Sequence, residues 1–458
     1  MSARQDFSPD TSAAHIDLDD PGLPERIGKY RVVSRLGEGA TSEVFLAVDE
    51  FHHRNVAIKR VRRATLGESV ENHYRQHFYA AEAALAGKLM HPNVVQIFDA
   101  VPDPVQPYLV MEYVPGVTLR RFCRPDGLLA LDQIVEIGFK CAMALGYVAR
   151  QGLIHRDVKP ANILAMLTND LVTDIKITDF GSVFDHGSDR TQVFRVGSLA
   201  YMSPEQLDGS TLDTRADMYS LAAVLYHLVA GRPPFDAANQ VALMHQIYHA
   251  EAPPLVGQRD GVPPRMEALL RRALAKQPAD RPASWEDFAR ELSLLVANGE
   301  VPVGRLQDVL DSERFNLLRT LEFFEGFGDV ELWEVVHRAA WLRHRFGAAL
   351  YRKGAEGNTF HIIAQGRIDV YRDGQRVAQL GAGTSVGEMA YLAPSAALRL
   401  HSADVMVAEP ATTIAFTPEA LDVLSPATRH LFDAAFIRVL VRRLHAAHEL
   451  LAHPRRIL

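Results

Sequence analysis

Asp157, Lys159 and Asn162 stand in one short run, His155-Arg156-Asp157-Val158-Lys159-Pro160-Ala161-Asn162. A carboxylate there can accept a hydrogen bond from a hydroxyl and aim it. An ammonium two residues on can offset charge on a phosphoryl group in flight, and a carboxamide oxygen can ligate a hard cation. Downstream, Asp179-Phe180-Gly181 offers a second carboxylate for a cation that bridges phosphates. Upstream, Lys59 closes the apolar run Val56-Ala57-Ile58-Lys59. Lysine on an apolar strand needs a charged partner. Glu82, among Ala80, Ala81, Ala83 and Ala84, can supply it and leave Lys59 aimed at phosphates; a solvated helical glutamate is the alternative. The chemistry these groups share is phosphoryl transfer from a metal-bound triphosphate.

The phosphates themselves need a cradle. Leu36-Gly37-Glu38-Gly39-Ala40-Thr41-Ser42-Glu43-Val44 lies between two β-rich runs, and glycine lets backbone N–H groups approach phosphate without an intervening Cβ. Taken alone, the motif is equally that of any glycine-rich hairpin, and Ser42 occupies the place of a third glycine.

These residues must be positioned by regular elements. Strands are expected at Tyr30–Val33, Val44–Val48, Asn55–Val61, Val94–Phe98 and Tyr108–Tyr113, with one helix over His77–Met90 stopped before His91-Pro92. From Leu131 the character changes: Leu131–Arg150 reads as a long amphipathic helix, with short β-like pieces around Ile154, Ile163 and Ile175–Ile177 and helices onward to about Ala297. A Gly- and Pro-bearing linker centred on Asn298–Gly304 follows. The final third is regularly β, with strands at Phe360–Ile363, Arg367–Tyr371, Arg376–Leu380, Val405–Val407 and Thr412–Phe416, and Phe432–Leu451 closes it as an amphipathic helix. That spacing predicts a small antiparallel barrel or jelly roll.

Composition narrows the class. A chain of 458 residues with 48% hydrophobic and 23% charged residues suggests two or three soluble domains. A net charge of -7 argues against an extended nucleic-acid surface. Two cysteines, Cys123 and Cys141, exclude a disulfide framework or a four-cysteine zinc site, and favour a reducing, cytoplasmic setting. No apolar run reaches the length of a membrane span; Tyr219–Ala230, interrupted by His227, reads as a buried helix. Residues 1–26 read as a disordered leader without a signal peptide's apolar core.

Over Ile27–Leu295 the motifs together resemble the eukaryotic-type (Hanks-type) serine/threonine protein kinases, in a bacterial style through Tyr201-Met202-Ser203-Pro204-Glu205-Gln206. The resemblance implies an α+β bilobal protein kinase fold over 27–297, with ATP and Mg²⁺ (or Mn²⁺) in the cleft. It implies nucleotide contacts from Leu36, Gly37, Glu38, Gly39, Ala40, Val44, Ala57 and Lys59. Met111, Glu112 and Val114 are implied as gatekeeper and hinge. Asp157, Lys159, Lys59 and Glu82 take catalytic roles, and Asn162 and Asp179 hold metal. Thr191 and Ser198 lie in the implied activation segment, which Glu205 ends; Arg281 pairs with Glu205, and Asp217 is a structural anchor. Arg156 is implied to pair with a phosphorylated activation-segment residue; Ser182, Ser188 and Thr191 are the candidates, Thr191 the favoured one by position. Lys159 points to serine/threonine substrates, the chain itself among them. Ser42, Ser198 and Ser203 depart mildly from the family pattern, and a catalytically silent scaffold is the rival reading.

After a linker over 298–312, residues 313–458 are expected to form a β-roll or jelly roll with flanking helices. Leu321–Leu451 is similar to cyclic-nucleotide-binding domains through Phe323-Phe324-Glu325-Gly326-Phe327, Lys353-Gly354, Phe360–Arg367, Val386-Gly387-Glu388-Met389-Ala390 and the basic Arg442-Arg443 on the last helix. The resemblance implies that Glu388, beside Gly387, holds the ribose hydroxyl and that an arginine holds the cyclic phosphate. The register of Ser402-Ala403-Asp404-Val405 puts His401 at that arginine's place, with Arg399 two residues earlier. Neutral imidazole replacing a bidentate guanidinium forfeits about 2–4 kcal/mol. Two readings stay open: a cAMP or cGMP sensor controlling the kinase in cis, or a domain kept for docking, homodimerisation or restraint.

Overall fold

The computed structural model describes residues 23–39, 42–61, 87–102, 106–180, 199–302, 310–393, 395 and 399–452. The chain divides into two compact units, 1–307 and 308–458. The expected leader lies outside the described residues as far as residue 22.

The first unit opens with an antiparallel sheet of six strands: β1 (Arg26–Ile27), β2 (Tyr30–Glu38), β3 (Ser42–Asp49), β4 (Arg54–Val61), β5 (Ile97–Val101) and β6 (Tyr108–Glu112), ordered β1-β2-β3-β4-β6-β5. Alternation sets the inner face. Tyr30, Val32, Phe45, Ala47, Val56, Ile58 and Val110 turn inward into one cluster, while Arg31 stays exposed between two of them. The expected strand from Val94 begins only at Ile97, because Val94 instead forms a parallel bridge to Ile177. The helix expected over His77–Met90 lies mostly outside the described residues. Its described end, from Gly87, is a turn, with Gly87 at φ 72° closing off any helix there.

Helices then take over. α1 (Leu131–Arg150) has the predicted bounds; it packs on α3 (Arg215–Ala230) and α6 (Trp285–Ala297), and α3 is buried almost throughout. α2 (Pro204–Asp208), α4 (Gln240–His249) and α5 (Pro264–Ala273) complete this layer. Three strands, β7 (Val117–Thr118), β8 (Ile163–Thr168) and β9 (Leu171–Ile177), form a small sheet ordered β7-β8-β9 that carries the chemistry-bearing loops at its ends. Ile154 lies in the loop before them rather than in a strand. Asn298 and Gly299, expected in a linker, wind up the end of α6: Gly299 adopts φ 69° and Val301 folds back to donate to the Leu295 carbonyl at 3.0 Å.

The second unit begins with α7 (Asp311–Thr320) and α8 (Asp329–Arg338). Its strands are β10 (Ala340–His344), β11 (Ala349–Tyr351), β12 (Phe360–Gln365), β13 (Ile368–Arg372), β14 (Gln375–Leu380), β15 (Ser385–Val386), β16 (Asp404–Val407) and β17 (Ala411–Phe416). They form two four-stranded antiparallel sheets, β10-β17-β12-β15 and β11-β16-β13-β14, a jelly-roll arrangement. α9 (Glu388–Tyr391) interrupts the strands, and α10 (Pro418–Asp422) and the long α11 (Pro426–Ala452) follow. Aromatic packing docks α11: Phe432 lies 4.9 Å from Phe416 and Phe436 4.9 Å from Phe360, ring centre to ring centre.

Among the described glycines of the first unit, Gly116 makes the tightest approach to backbone. A Cβ there would lie 2.3 Å from the Ala165 carbonyl oxygen, just where β7 pairs with β8. Backbone cannot yield as a side-chain tip can. Gly116→Ala is expected to lower stability by about 1–3 kcal/mol in chemical denaturation, whereas Gly37→Ala, with open space around its Cβ, should change it little.

Candidate active site

The run that carries Asp157 is hung from α3. Asp217, 3% exposed, accepts the backbone N–H groups of His155 and Arg156, both at 2.7 Å. Arg156 is held at φ 66°, a conformation that non-glycine residues occupy at a cost of about 1–3 kcal/mol. His155 is fully buried, with its Nε2 3.0 Å from the Thr178 carbonyl. Only a protonated Nε2 suits that carbonyl, so Nδ1 is the acceptor for the Asp157 N–H at 3.3 Å. The ring also packs on Phe180 at 4.5 Å. One histidine thus ties the run carrying Asp157 to the segment carrying Asp179.

Asp157 emerges between two donors. Lys159 Nζ lies 2.8 and 2.7 Å from its carboxylate oxygens, and Asn162 Nδ2 donates to its Oδ2 and its carbonyl, both at 2.9 Å. Asn162 uses its amide nitrogen for these bonds, leaving the oxygen as the atom suited to a cation. The Asn162 carbonyl accepts from the Thr178 N–H at 2.9 Å, which sets Asp179 beside it in the chain.

Asp179 adopts φ 67° and accepts from Lys59 Nζ at 2.7 Å. Burial pushes its carboxyl up, but the Lys59 ammonium together with the other positive groups around it, Lys159 among them, holds it below the ordinary carboxylate range. Lys59 itself is 8% exposed on β4. The structure therefore brings Lys59, Asp157, Lys159, Asn162 and Asp179 into one connected set.

Beside them is an apolar slot. Ala57, Met111 and Val114 cluster with Val95, and Val44, Leu164 and Met166 pack against them. Register explains the meeting: Ala57 faces Met111 across β4 and β6. Behind Met111 a small cavity is lined by Lys59, Ile97, Leu109, Thr178, Asp179 and Phe180. Glu112 accepts from Lys176 Nζ at 2.9 Å, fixing the end of β6 to β9. Leu36, Gly37, Glu38 and Gly39 are exposed at the end of β2, and the Gly39 N–H donates to the Ser42 carbonyl at 2.7 Å. Ala40, Glu82, Thr191 and Ser198 lie outside the described residues, as do the activation-segment candidates Ser182 and Ser188.

Val95, Leu164 and Met166 escaped the sequence reading. Leu164 and Met166 alternate on the strand directly after Asn162, so the two-residue period of that apolar run was the available signal.

Glu205 and Arg281 meet as expected. The guanidinium donates to both carboxylate oxygens, at 2.6 and 2.8 Å, and to the carbonyls of Ala275 and Arg215, both at 2.9 Å. Arg281 is 3% exposed and lies over the Tyr219 ring.

In the second unit Gly387, at φ 88°, precedes a Glu388 that is 1% exposed. Glu388 Oε1 pairs with Arg443 of α11, whose other nitrogen donates to the Ser385 carbonyl at 2.7 Å. Glu388 Oε2 and Ser385 Oγ are buried without a hydrogen-bond partner among the described residues. His401 is 8% exposed and stacks on Tyr351 at 4.0 Å; burial lowers its tendency to protonate. The Tyr351 hydroxyl in turn abuts Gly387, where a Cβ would lie 2.5 Å away. So His401 faces the glutamate's loop through one ring, while Arg399 and Ser402 are exposed. Sequence reading missed Tyr351 and the Arg443–Glu388 pair.

Comparison with known proteins adds two family matches: "Protein kinase domain" over residues 30–292 and "Cyclic nucleotide-binding domain" over residues 342–425. The chain is similar to the serine/threonine-protein kinase PknB of Mycobacterium tuberculosis, 37% identical over 298 residues, 63% of this chain and 46% of that one. PknB of Mycolicibacterium smegmatis gives the same figures. A probable serine/threonine-protein kinase of Corynebacterium efficiens is 38% identical over 282 residues, 59% of this chain and 42% of that one. The chain spans about half the length of the curated relatives it matches.

The buried ion pair yields a test. Burial alone would raise the Glu205 carboxyl, but the Arg281 fork outweighs it and holds the group below the ordinary carboxylate range. A folded value below the unfolded one stabilises fully above the unfolded value, and that contribution is lost as pH falls through the folded one. Arg281→Ala is expected to cost about 3–5 kcal/mol in denaturant titration at neutral pH. The gap between wild type and Glu205→Gln should narrow as the pH is taken below about 4.

Proposed function

Since the chain belongs to the protein kinase family, we propose that it transfers the γ-phosphoryl group of ATP to serine or threonine hydroxyls of proteins, its own included. The observation that supports this most is the single connected set of Asp157, Lys159, Asn162, Asp179 and Lys59. In this reading adenine lies in the slot of Val44, Ala57, Met111, Val114 and Leu164, with the hinge backbone at Glu112 and Val114 bonding its edge. The turn at Gly37 and Gly39 covers the phosphates, and Lys59 steadies them, with Glu82 as its helical partner. Asp157 accepts a hydrogen bond from the substrate hydroxyl and aims it. Lys159, already against Asp157, balances charge that builds on the moving phosphoryl group.

The metal this family uses fits the donors present. Asp179 is kept ionised, and the Asn162 nitrogen is engaged elsewhere, so both present hard oxygens of the kind that Mg²⁺ or Mn²⁺ takes. When bound, that ion would neutralise phosphate charge. In the same reading Arg156 pairs with a phosphorylated Thr191. ATP and free thiols imply a cytoplasmic setting.

For the second domain the packing favours docking, homodimerisation or restraint over cyclic-nucleotide sensing. A neutral His401 stands at the cyclic-phosphate position, and Arg443 already holds Glu388. Control of the kinase in cis by cAMP or cGMP is the alternative.

Two measurements check these readings. Incorporation of radiolabelled phosphate should fall about 10²–10⁴-fold in Asp157→Asn; equal incorporation in both proteins, or none in either, defeats the enzyme and leaves the scaffold. In calorimetry with cAMP and cGMP, His401→Arg should bind roughly 30- to 1000-fold more tightly than wild type. Unchanged binding would overturn the account of that pocket.

A further inference from the structure

Lys140 of α1 is 3% exposed, and a buried ammonium is costly unless a carboxylate and carbonyls surround it. Its Nζ lies 3.1 Å from Asp174 Oδ1 and 3.1 Å from the Thr173 carbonyl. The same Asp174 oxygen accepts from Asn93 Nδ2 at 2.7 Å and from the Ile175 N–H at 2.9 Å. Asn93 is fully buried and gives its amide nitrogen also to the Ile175 carbonyl at 2.9 Å. Three donors thus converge on one carboxylate oxygen, a charge-assisted junction.

The junction joins three separate parts of the kinase unit. Asn93 belongs to the loop that leads into β5, Lys140 to α1 and Asp174 to β9. The loop and strand are also laced by backbone: the Ile177 N–H donates to the Asn93 carbonyl and the Val95 N–H to the Ile177 carbonyl, both at 2.9 Å. Ile177 is followed by Thr178 and Asp179. These bonds join Asn93, Asp174 and Lys140 to one another and to backbone, and the proposed mechanism assigns none of the three a role.

We propose that Lys140, Asp174 and Asn93 are positioning residues that fix the register of β9 against the β5 loop and so set where Asp179 meets Lys59. The inference rests on the kinase reading for its catalytic consequence, but its structural part stands apart from it. Loss of the junction lets the end of β9 breathe, which misplaces a metal-holding carboxylate rather than removing it.

The test uses the full chain with Asn93→Ala, Asn93→Asp, Asp174→Asn and the exchange N93D/D174N. Asn93→Asp sets a carboxylate against Asp174, and Asp174→Asn removes the charge facing Lys140; the exchange returns one acid and one amide to the same place. Backbone hydrogen exchange at 175–180, measured without nucleotide, should quicken roughly 5- to 100-fold in the single variants while α3 stays unchanged. The exchange variant should return to within about threefold of wild type. In autophosphorylation, the Mg²⁺ concentration for half-maximal rate should rise in the single variants and recover in the exchange, a response that a merely structural role would not give. Asn93→Ala, which introduces no charge, keeps the test readable if a charged variant fails to fold. Unchanged exchange at 175–180 in Asn93→Ala, or an exchange variant no better than its parents, overturns the proposal. The amide measurement needs no activity, so an inactive wild type would count against the kinase reading alone.

Discussion

A single buried carboxylate underlies the arrangement of the first unit. Asp217, at the start of a helix buried along most of its length, takes the amides of His155 and Arg156 and thereby holds Arg156 in a left-handed conformation. A strained residue persists only where its surroundings over-determine it. Here two short hydrogen bonds on one side and the His155 ring wedged against Phe180 and Thr178 on the other do so. Asp157 then has little freedom in where it points, and Lys159 and Asn162 close around it. The pattern repeats at Asp179, whose own positive φ is sustained by Lys59 from the sheet across the cleft. Strain at two neighbouring positions is offset by burial and charge pairing at some distance from each.

What the sequence made legible was what is local. Asp157, Lys159 and Asn162 sit within one loop, and Asp179 opens a three-residue motif, so residue type and spacing alone make them candidates. α1 was found to its end residues because a long apolar stripe with a polar start has few other solutions. The Glu205–Arg281 pair was foreseen only through family resemblance, since its partners are 76 residues apart. The contacts between Asn93, Asp174 and Lys140 were invisible: each residue alone is an ordinary polar side chain, and only folding shows that all three are buried on one oxygen.

The second unit failed more instructively. β10 and β11 were missed because β10 is largely exposed and carries arginine and histidine, and β11 is three residues long. β15, two residues long, offers no period to read. Glu388 was identified from its loop, yet its partner comes from α11, 55 residues on. The loop that carries Glu388 could be read; the pairing of its carboxylate with the chain's own arginine could not.

Met111 has one more implication. Its side chain lines both the apolar slot and the cavity behind it that Ile97, Leu109 and Phe180 border. An unbranched thioether is a pliant partition, unlike a β-branched or aromatic one. The size of the small space behind it is therefore set by a side chain that can turn, a door that swings rather than a wall.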